Sequence, residues 1–339
     1  MFCSIFAKYN NEESRVYYVQ WYVGLTDWGY DAKLRLLEYS DLKLLLLLNP
    51  HAAAGRAAAL SEDISKKLGA FAEVDLLLTS GPGDATRRVA EANLDGIDAV
   101  VAAGGDGTLF EVLNGLYENA REQKPPLGVI PVGTGNAFAR DLGLEPGDWK
   151  KGIDIIASGR KRPFDIGRVQ SQAGTYHFLN IVGAGLPVDA MLTAARLKFI
   201  GRVAYTVATL WRAMQLKTYP LNIVLDGDRV EQESMFIEVS NTRYTGTSFL
   251  IAPDAQPDDG LFDITLVRKL GRTRLLRLFP TIYKGEHVRY EEVTTYRAKE
   301  ITIEGPDGLL LAPDGELRGA TPATITCLYR DLEIFTAVF

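Results

Sequence analysis

The sequence is poor in the residues that build metal centres and covalent crosslinks. Its 339 residues include only two cysteines, Cys3 and Cys327, and three histidines. No cysteine pair at zinc-binding spacing and no Ser-His-Asp pattern is present, which argues against a zinc site, a disulfide scaffold and a triad hydrolase. A reducing compartment is the natural environment of such a chain, so we expect it in the cytoplasm.

Long apolar runs and an excess of positive charge are also missing. The longest aliphatic run, Leu44–Leu48, is far shorter than the ~20 residues that span a bilayer. Lysine and arginine number 37 against 43 acidic residues, for a net charge of −6. Nucleic-acid binders usually carry a basic excess, so we expect no such partner. Hydrophobic residues make up 47%, enough for a large core, and the length suits two domains.

The first forty residues differ from the rest of the chain. Ten of them are aromatic, and the stretch lacks the basic start and apolar centre of a secretory signal. It is compatible with an added strand or helix that packs on the main body, with an irregular arm, or with a misassigned start codon. We therefore treat residues 1–40 as an extension of unknown role and assign no chemistry to them.

The most informative stretch is residues 97–116, which predict a buried strand, a glycine turn and a helix in direct succession. The turn consists of Gly104, Gly105, Asp106, Gly107 and Thr108. Bare amides and a helix N-terminus at one point suit an anion such as phosphate, and glycines allow its close approach. The carboxylate of Asp106 would repel a bare phosphate, but it suits a Mg²⁺ ion held between the two.

A second strand, glycine turn and helix follow at residues 127–140. Its turn consists of Gly133, Thr134, Gly135 and Asn136. Two such units about 30 residues apart are typical of βα units in one parallel sheet. Both turns would then lie at the carboxyl ends of their strands, where open α/β sheets bind ligands.

The flanking pattern predicts a doubly wound parallel sheet followed by a domain of another kind. Strands are expected at 42–50 and 74–78, with helices between them, and Asp84 is expected to cap the helix 85–92. After Pro163 the pattern changes to short strands, with helices only near 187–215 and 272–284. The strands are expected at 164–170, 175–182, 221–226, 235–241, 262–267, 301–304, 309–312 and 324–329. This pattern indicates an antiparallel sandwich or barrel.

These motifs together resemble the diacylglycerol kinase catalytic-domain family, in its bacterial lipid-kinase branch, with sphingosine and ceramide kinases as relatives. The resemblance runs from about Leu42 to the C-terminus. The motifs that carry it are Asn49-Pro50 with Gly55; Gly104 to Thr108 with Glu111 and Asn114-Gly115; Pro131 to Asn136; Asn180 to Asp189; Ala252 to Ala255; Asp258 to Gly260; and Asp314 to Glu316.

The resemblance implies an α/β nucleotide-binding domain at 41–163 and a β-sandwich lipid-substrate domain at 164–339, with the active site between them and the C-terminus packing back on the first domain. It implies ATP-dependent phosphorylation of a lipid hydroxyl, with Mg²⁺ near Asp106. No GxxxxGK[ST] loop is present, so loop amides and Mg²⁺ must hold the phosphates. The implied ATP-binding residues are Asn49, Pro50, Gly55, Thr79, Gly104, Gly105, Asp106, Gly107, Thr108, Glu111, Gly133, Thr134, Gly135 and Asn136.

Two further acidic turns acquire a role only through the resemblance, since Asp-Gly sequences usually mark hairpin turns. One carboxylate of Asp314 and Glu316 would take the proton from the lipid hydroxyl; we favour Asp314 as this base and Glu316 as its support. Relatives hold a second, structural Mg²⁺ near the other turn. Its matching ligands are the carbonyls of Gln256 and Leu261, the carboxylate of Asp259, and Asp165 through water.

Three hypotheses for function remain open at this point. The first is an ATP-dependent lipid kinase, and the acidic motifs favour it. The second is a kinase of a water-soluble substrate, such as an NAD kinase or a phosphofructokinase, which share the Gly-Gly-Asp-Gly turn. The third is a non-catalytic nucleotide-binding protein. The identity of the lipid and the oligomeric state, with a homodimer as one option, stay open.

Two windows rich in basic residues and free of acidic ones suggest how the chain reaches a membrane. These are residues 190–217 and 264–285, and both have apolar residues between the basic ones. Either they form solvated helix faces, or they form a surface that rests on anionic lipid. On the second interpretation, the protein is peripherally membrane-associated.

Overall fold

The computed structural model describes residues 6–10, 16–26, 29–38, 42–53, 55–196, 204–246 and 248–337. Within residues 1–40, three strands form a small antiparallel sheet in the order β1-β2-β3. These strands are β1 (Phe6–Asn10), β2 (Val16–Thr26) and β3 (Gly29–Glu38). The extension thus contains strands, one of the alternatives that its aromatic composition left open.

The first domain contains a four-stranded parallel sheet flanked by helices. Its strands are β4 (Lys43–Leu48), β5 (Glu73–Leu78), β6 (Ala99–Gly104) and β7 (Leu127–Pro131), in the order β7-β6-β4-β5. Its helices are α1 (Arg56–Leu68), α2 (Asp84–Glu91), α3 (Asp106–Glu118), α4 (Ala137–Asp141) and α5 (Trp149–Ala157). All six residues of β6 are buried, as expected of a central strand covered on both faces.

The second domain consists mainly of antiparallel strands. These are β8 (Lys161–Ser171), β9 (Gly174–Phe178), β10 (Ile181–Gly185), β11 (Tyr219–Leu225), β12 (Asp228–Ser240), β13 (Tyr244–Thr245), β14 (Phe249–Leu250), β15 (Phe262–Arg268), β16 (Val293–Ala298), β17 (Glu300–Gly305), β18 (Leu311–Pro313) and β19 (Ala323–Phe335). The helices of this domain are α6 (Leu186–Arg196), α7 (Ala204–Ala213) and α8 (Arg272–Leu278), and 3₁₀ turns span Phe279–Lys284 and Glu286–Arg289. Of the described helices, none is long and apolar enough to cross a membrane.

The last strand, β19, joins the two sheets. Its first half pairs with β17, and most of its length pairs with β8 of the second domain. Near its end, Ile334 pairs in parallel with Leu127 of β7, so the C-terminal strand extends the sheet of the first domain. The two glycine turns and the second domain are therefore held in one continuous hydrogen-bonded sheet.

The predicted fold class is confirmed, with corrections to individual elements. The expected strand at 175–182 is two strands, because the chain turns at Leu179 and Asn180 between β9 and β10. The expected helix at 187–215 corresponds to α6 and α7, and its middle, residues 197–203, lies outside the described residues. The helix expected at 272–284 ends at Leu278 and continues as a 3₁₀ turn containing Pro280, which lacks an N–H donor. Strand β16 was not predicted.

Candidate active site

Two clefts meet at Gly107 and Glu316, which line both of them. The first cleft measures about 550 Å³ and lies over the glycine turns of the first domain. The second measures about 340 Å³ and is bounded by both domains, including Asp106 and Asp314. The glycine turns and the acidic pair thus come together, although they lie far apart in sequence.

The first cleft contains most of the predicted nucleotide-binding residues. Those that line it are Asn49, Thr79, Gly105, Gly107, Thr108, Glu111, Gly133 and Thr134. Those that do not are Pro50, Gly55, Gly104, Gly135 and Asn136, while Asp106 lines the second cleft. The lining also includes Ser80, Gly81, Pro82 and Ala85, which the sequence analysis did not select. They follow β5, and the sequence could have identified them as cleft residues because ligands bind at the carboxyl ends of parallel strands.

The two glycine turns touch through their backbones. A Cβ atom added to Gly133 would overlap the Cα of Gly105, and one added to Gly104 would overlap the side chain of Thr108. The carbonyl of Gly104 accepts hydrogen bonds from the amide of Gly133 (2.9 Å) and the side-chain amide of Asn136 (3.0 Å). Gly104 and Asn136, two of the predicted nucleotide-binding residues that lie outside the cleft lining, therefore hold the two turns together.

This contact predicts that two glycine-to-alanine substitutions in the cleft will differ in their effect on protein stability and on nucleotide binding. Gly133→Ala should destabilise the protein by roughly 1–3 kcal/mol, the usual cost of overpacking, and raise the KM for nucleotide. Gly81→Ala is the matched control, because Gly81 lines the same cleft but an added Cβ would meet no atom within 4 Å. Thermal unfolding and nucleotide titration of both variants test this. Equal behaviour of the two would contradict the packing argument.

The turn after β4 is anchored to the turn after β6. The side-chain amide of Asn49 donates to Oγ1 of the buried Thr108 (3.1 Å), and its Oδ1 accepts the amide of His51 (3.0 Å). Thr79 is also buried, with its amide bonded to the carbonyl of Leu48 (2.9 Å). These contacts hold three strand ends around one cleft.

Glu111 has a structural contact that the sequence did not reveal. Its carboxylate accepts the amides of Gly83 (2.7 Å) and Ala85 (3.1 Å), so a residue of α3 caps the N-terminus of α2. The expectation that Asp84 is the cap is wrong, because Gly83 occupies that position and Asp84 is the first helical residue. Hydrogen bonds from Arg88 and the amide of Ser80 instead hold the pKa of Asp84 well below its usual range.

The Asn114-Gly115 motif lies on α3 and links it to neighbouring elements. Asn114 exchanges hydrogen bonds with the backbone of His177 on β9, through Nδ2 (2.9 Å) and Oδ1 (2.8 Å). Gly115 faces α2, where an added Cβ would lie 2.6 Å from the carbonyl oxygen of Thr86. This motif therefore positions the helix that begins at Asp106 and does not line either cleft.

Asp106 begins α3 and faces the N-terminus of α4. Burial raises the pKa of Asp106, while the amides of Asn136, Ala137 and Phe138 oppose that rise. An added Cβ on Gly135 would lie 3.1 Å from Oδ2 of Asp106, so the carboxylate packs closely against the second turn. Asp106 is thus connected to both glycine turns.

The two members of the acidic pair have different surroundings. Asp314 adopts a positive φ of 48°, and its carboxylate accepts the amides of Leu179 (2.9 Å), Asn180 (2.8 Å) and Ile181 (3.0 Å). Burial raises the pKa of Asp314 to about 7, with a smaller contribution from the charge of Asp106.

Glu316 is the less constrained member of the pair. Among the described residues, none donates a hydrogen bond to its carboxylate. Burial raises the pKa of Glu316, and the charge of Glu111 raises it further. An added Cβ on Gly107 would lie 2.7 Å from Oε1 of Glu316. The carboxylate therefore lies against the glycine turn at the junction of the two clefts.

The acidic residues around Gly107 fit a divalent cation that is shared with phosphate. Within the described residues there is no group of three or more His, Cys, Asp or Glu side chains arranged to hold a metal on their own. Mg²⁺, however, is commonly bound by one or two carboxylates together with substrate phosphates. Burial raises the pKa values of Asp106, Asp314 and Glu316, and a neighbouring acid adds to the rise at Asp314 and Glu316; a bound cation would lower all three.

The site predicted for a second Mg²⁺ is organised differently. Asp165 lies beside the turn, accepting the amides of Gly260 (2.6 Å) and Arg330 (2.7 Å). Asp259 accepts the amide of Leu261 (3.1 Å) and pairs with Arg297. Arginines thus already provide positive charge here, as Arg162 does for Asp258 (2.7 Å). The second Mg²⁺ site at Gln256, Asp259, Leu261 and Asp165 therefore stays a prediction.

Two family models match the chain. The diacylglycerol kinase catalytic domain matches residues 43–169, and the YegS C-terminal NAD kinase beta sandwich-like domain matches residues 180–336. A diacylglycerol kinase from Mycobacterium tuberculosis is 36% identical over 299 residues, which cover 86% of this chain and 94% of that protein. The chain belongs to the diacylglycerol kinase family. A diacylglycerol kinase from Bacillus subtilis is 34% identical and covers 76% of this chain and 83% of its own length.

A solved structure agrees with this membership in the diacylglycerol kinase family. The crystal structure of a diacylglycerol kinase from Bacillus anthracis superimposes with a TM-score of 0.71 at 29% identity, covering 87% of this chain and 97% of that one. Kinases of this family are phosphotransferases with an alcohol group as acceptor, and this chain is one of them.

In this member of the diacylglycerol kinase family, a small apolar cavity of about 60 Å³ adjoins the second cleft. Pro187, Glu238 and Thr245 line both spaces. The remaining lining is almost entirely apolar and includes Met235, Phe236, Phe249, Leu275, Leu278 and Phe279. The sequence analysis did not select this cavity, because its walls come from α6, β12, β14 and α8, which are distant in sequence.

Proposed function

We propose that this chain is an ATP-dependent lipid kinase that transfers the γ-phosphate of ATP to the hydroxyl of a diacylglycerol-like lipid. The observation that carries the proposal is the sequence of connected spaces: a glycine-lined cleft, an acidic cleft and an apolar cavity, in that order. A nucleotide, a reacting hydroxyl and the first part of an acyl chain need these three environments in the same order; the cavity of about 60 Å³ is too small for whole acyl chains.

The first cleft suits the phosphates of ATP. Gly105 and Gly107 present bare backbone there, and α3 begins directly after Gly105. Amides at a helix N-terminus favour negative charge. Asp106, with Glu316 nearby, would hold Mg²⁺, which when bound neutralises charge on the transferring phosphoryl group. Asn49 and Thr108 keep the surrounding turns in place.

Glu316 is the better candidate for the base that takes the lipid hydroxyl proton, which reverses the preference drawn from the sequence. Both carboxylate oxygens of Asp314 accept backbone amides, and those bonds hold the β10 and β18 junction together. Glu316 has no such bonds in the described residues and lies where the two clefts meet. A general base needs a free lone pair within reach of the proton. Asp314 then positions the turn that carries Glu316.

The two alternatives are less well supported. A kinase of a small water-soluble substrate has no use for an apolar cavity behind the acidic cleft. A nucleotide-binding protein without activity has no use for three carboxylates around Gly107, and relatives named diacylglycerol kinase match most of the chain.

The direct test is phosphoryl transfer from radiolabelled ATP to a panel of lipids. The panel should contain diacylglycerol, phosphatidylglycerol and a sphingoid base, with NAD and fructose 6-phosphate as water-soluble acceptors. We expect label in a lipid product, most strongly from diacylglycerol, and none without added divalent cation. Label in a water-soluble acceptor alone would overturn the proposal.

The surface around α8 supports peripheral contact with anionic membrane. Arg272, Arg277 and Lys284 are exposed there, and Arg272 bonds to the carbonyl of Met214 at the end of α7 (3.3 Å). Exposed apolar side chains lie on α7, on α8 and on the 3₁₀ turn that follows it: Val207, Trp211, Leu276 and Tyr283. Basic and apolar side chains together favour an anionic lipid surface. Lys198 and Arg202 of the other predicted basic window lie outside the described residues.

Arg274 is unlike its neighbours, because it is engaged in a bidentate pair with Glu292 (2.6 and 3.1 Å). A test of membrane contact should therefore leave it unchanged. The Arg272→Glu/Arg277→Glu double variant should bind anionic vesicles roughly tenfold or more weakly, since each basic residue near such a surface contributes ~1 kcal/mol. Activity on a short-chain soluble lipid should be kept.

A Lys66→Glu/Lys67→Glu double variant on α1 is the matched control, since it makes the same charge change at an exposed site of the first domain. Vesicle co-sedimentation at low and high salt measures the effect. Equal loss of vesicle binding in both double variants would show that net charge, not the α8 surface, determines membrane contact.

A further inference from the structure

Glu238 is a buried acid that the proposed reaction leaves without a role. It lies near the C-terminal end of β12, opposite Gly183 of β10 on one side and Thr265 of β15 on the other. Only 3% of its surface is exposed. Because Gly183 has no side chain, the Glu238 carboxyl lies over bare backbone: an added Cβ on Gly183 would be 3.6 Å from Oε1.

Glu238 stands at the boundary between the two spaces that would receive the lipid. It lines the acidic cleft together with Asp106, Asp314 and Glu316, and it lines the apolar cavity together with Phe236. A lipid with its hydroxyl in the cleft and its acyl chain in the cavity must pass this side chain.

The surroundings of Glu238 provide no compensation for a negative charge. Within the described part of the chain, no side chain or amide donates a hydrogen bond to its carboxyl. Burial alone raises the pKa of Glu238 to about 8, with no contribution from a cation. At neutral pH the group is therefore mostly a protonated acid, which can donate one O–H hydrogen bond as well as accept others.

We infer that Glu238 is a specificity-determining residue that donates a hydrogen bond to an ester carbonyl of the lipid substrate. The inference rests on the proposed function and names the part of the lipid that is recognised. In a diacylglycerol, the groups between the free hydroxyl and the acyl chains are ester linkages. Glu238 occupies the matching position between the acidic cleft and the apolar cavity.

The alternative occupant of this position is a cationic group. A sphingoid base carries an ammonium between its hydroxyl and its chain, and an ionised Glu238 would pair with it. An uncompensated carboxylate buried to this degree is costly in the free protein. A neutral ester is therefore the better match, and the choice of lipids in the test separates the two.

The test compares a diacylglycerol with the dialkyl ether of the same chain lengths, which keeps the hydroxyl and the chains but lacks both carbonyls. The unmutated protein should prefer the ester by about tenfold in kcat/KM, the effect of one hydrogen bond to a buried partner. Glu238→Gln keeps a neutral donor of the same shape and should keep the preference. Glu238→Met fills similar volume without a donor and should abolish the preference, mainly by raising the KM for the ester.

Four outcomes would overturn the inference, each in its own way. Equal use of ester and ether by the unmutated protein would show that no carbonyl is recognised. Preference for a sphingoid base that is lost in Glu238→Gln would show that an ionised Glu238 pairs with an ammonium instead. Equal loss of kcat/KM on both lipids in Glu238→Met, with a lowered melting temperature, would show a structural role. Absence of turnover of every lipid by the unmutated protein would overturn the proposed function itself, and this inference with it.

Discussion

An Asp106→Asn variant will fold and lose phosphoryl transfer by roughly 10³-fold or more, the scale of losing electrostatic stabilisation of a transition state. The side-chain amide keeps the shape and one acceptor oxygen toward the N-terminus of α4, but its NH₂ group would face one of the amides that now donate to the carboxylate, so about 1–3 kcal/mol of stability should be lost. A neutral amide, however, cannot hold Mg²⁺ against the phosphates of ATP. Turnover of diacylglycerol and thermal unfolding, measured on the same preparation, separate the two effects.

Asp98→Asn provides a matched control for this variant. Asp98 precedes β6 whereas Asp106 follows it, and the Asp98 carboxylate also accepts a backbone amide, that of Lys43 (2.8 Å). The same chemical change at the opposite end of the strand should leave kcat unchanged. A folded Asp106→Asn protein with normal turnover would show that the carboxylate does not hold the metal.

The second large effect distinguishes the two members of the acidic pair. Glu316→Gln should lower kcat by roughly 10²-fold or more, the usual scale for losing a general base, with little change in the KM for ATP. Its stability should stay within about 0.5 kcal/mol of the unmutated protein, because no described residue donates a hydrogen bond to its carboxylate.

Asp314→Asn should instead lose stability, by about 1–3 kcal/mol, because its NH₂ group would face one of the three amides that now donate to the carboxylate. Its kcat should also fall, since the turn that carries Glu316 loosens. Denaturant unfolding and steady-state kinetics of both variants test the assignment. If Asp314→Asn is stable and inactive while Glu316→Gln is active, Asp314 is the base, as the sequence first suggested.

Local sequence was sufficient to predict the glycine turns and the order of strands. A short apolar run followed at once by glycines and a helical period is a local pattern, and it identified the turns after β6 and β7. The neighbouring residues that line the cleft, such as Ser80 and Gly81, were accessible to the same argument, because they also follow a parallel strand. The local pattern could not predict which glycines line the cleft and which pack against another segment of backbone.

The sequence alone therefore predicted the two-domain class and the nucleotide-type cleft with Asp106, because each depends on residues that are neighbours in the chain, whereas Asp314 and Glu316 were assigned to the cleft only through the family resemblance. Tertiary structure decided the division of labour among those acids. Whether a carboxylate is free or bonded depends on distant backbone: three amides near β10 hold Asp314, the amides of α2 hold Glu111, and Glu316 remains accessible. The position of Glu238 between two spaces likewise arises only where β10 and β12 pair and the cavity closes around them.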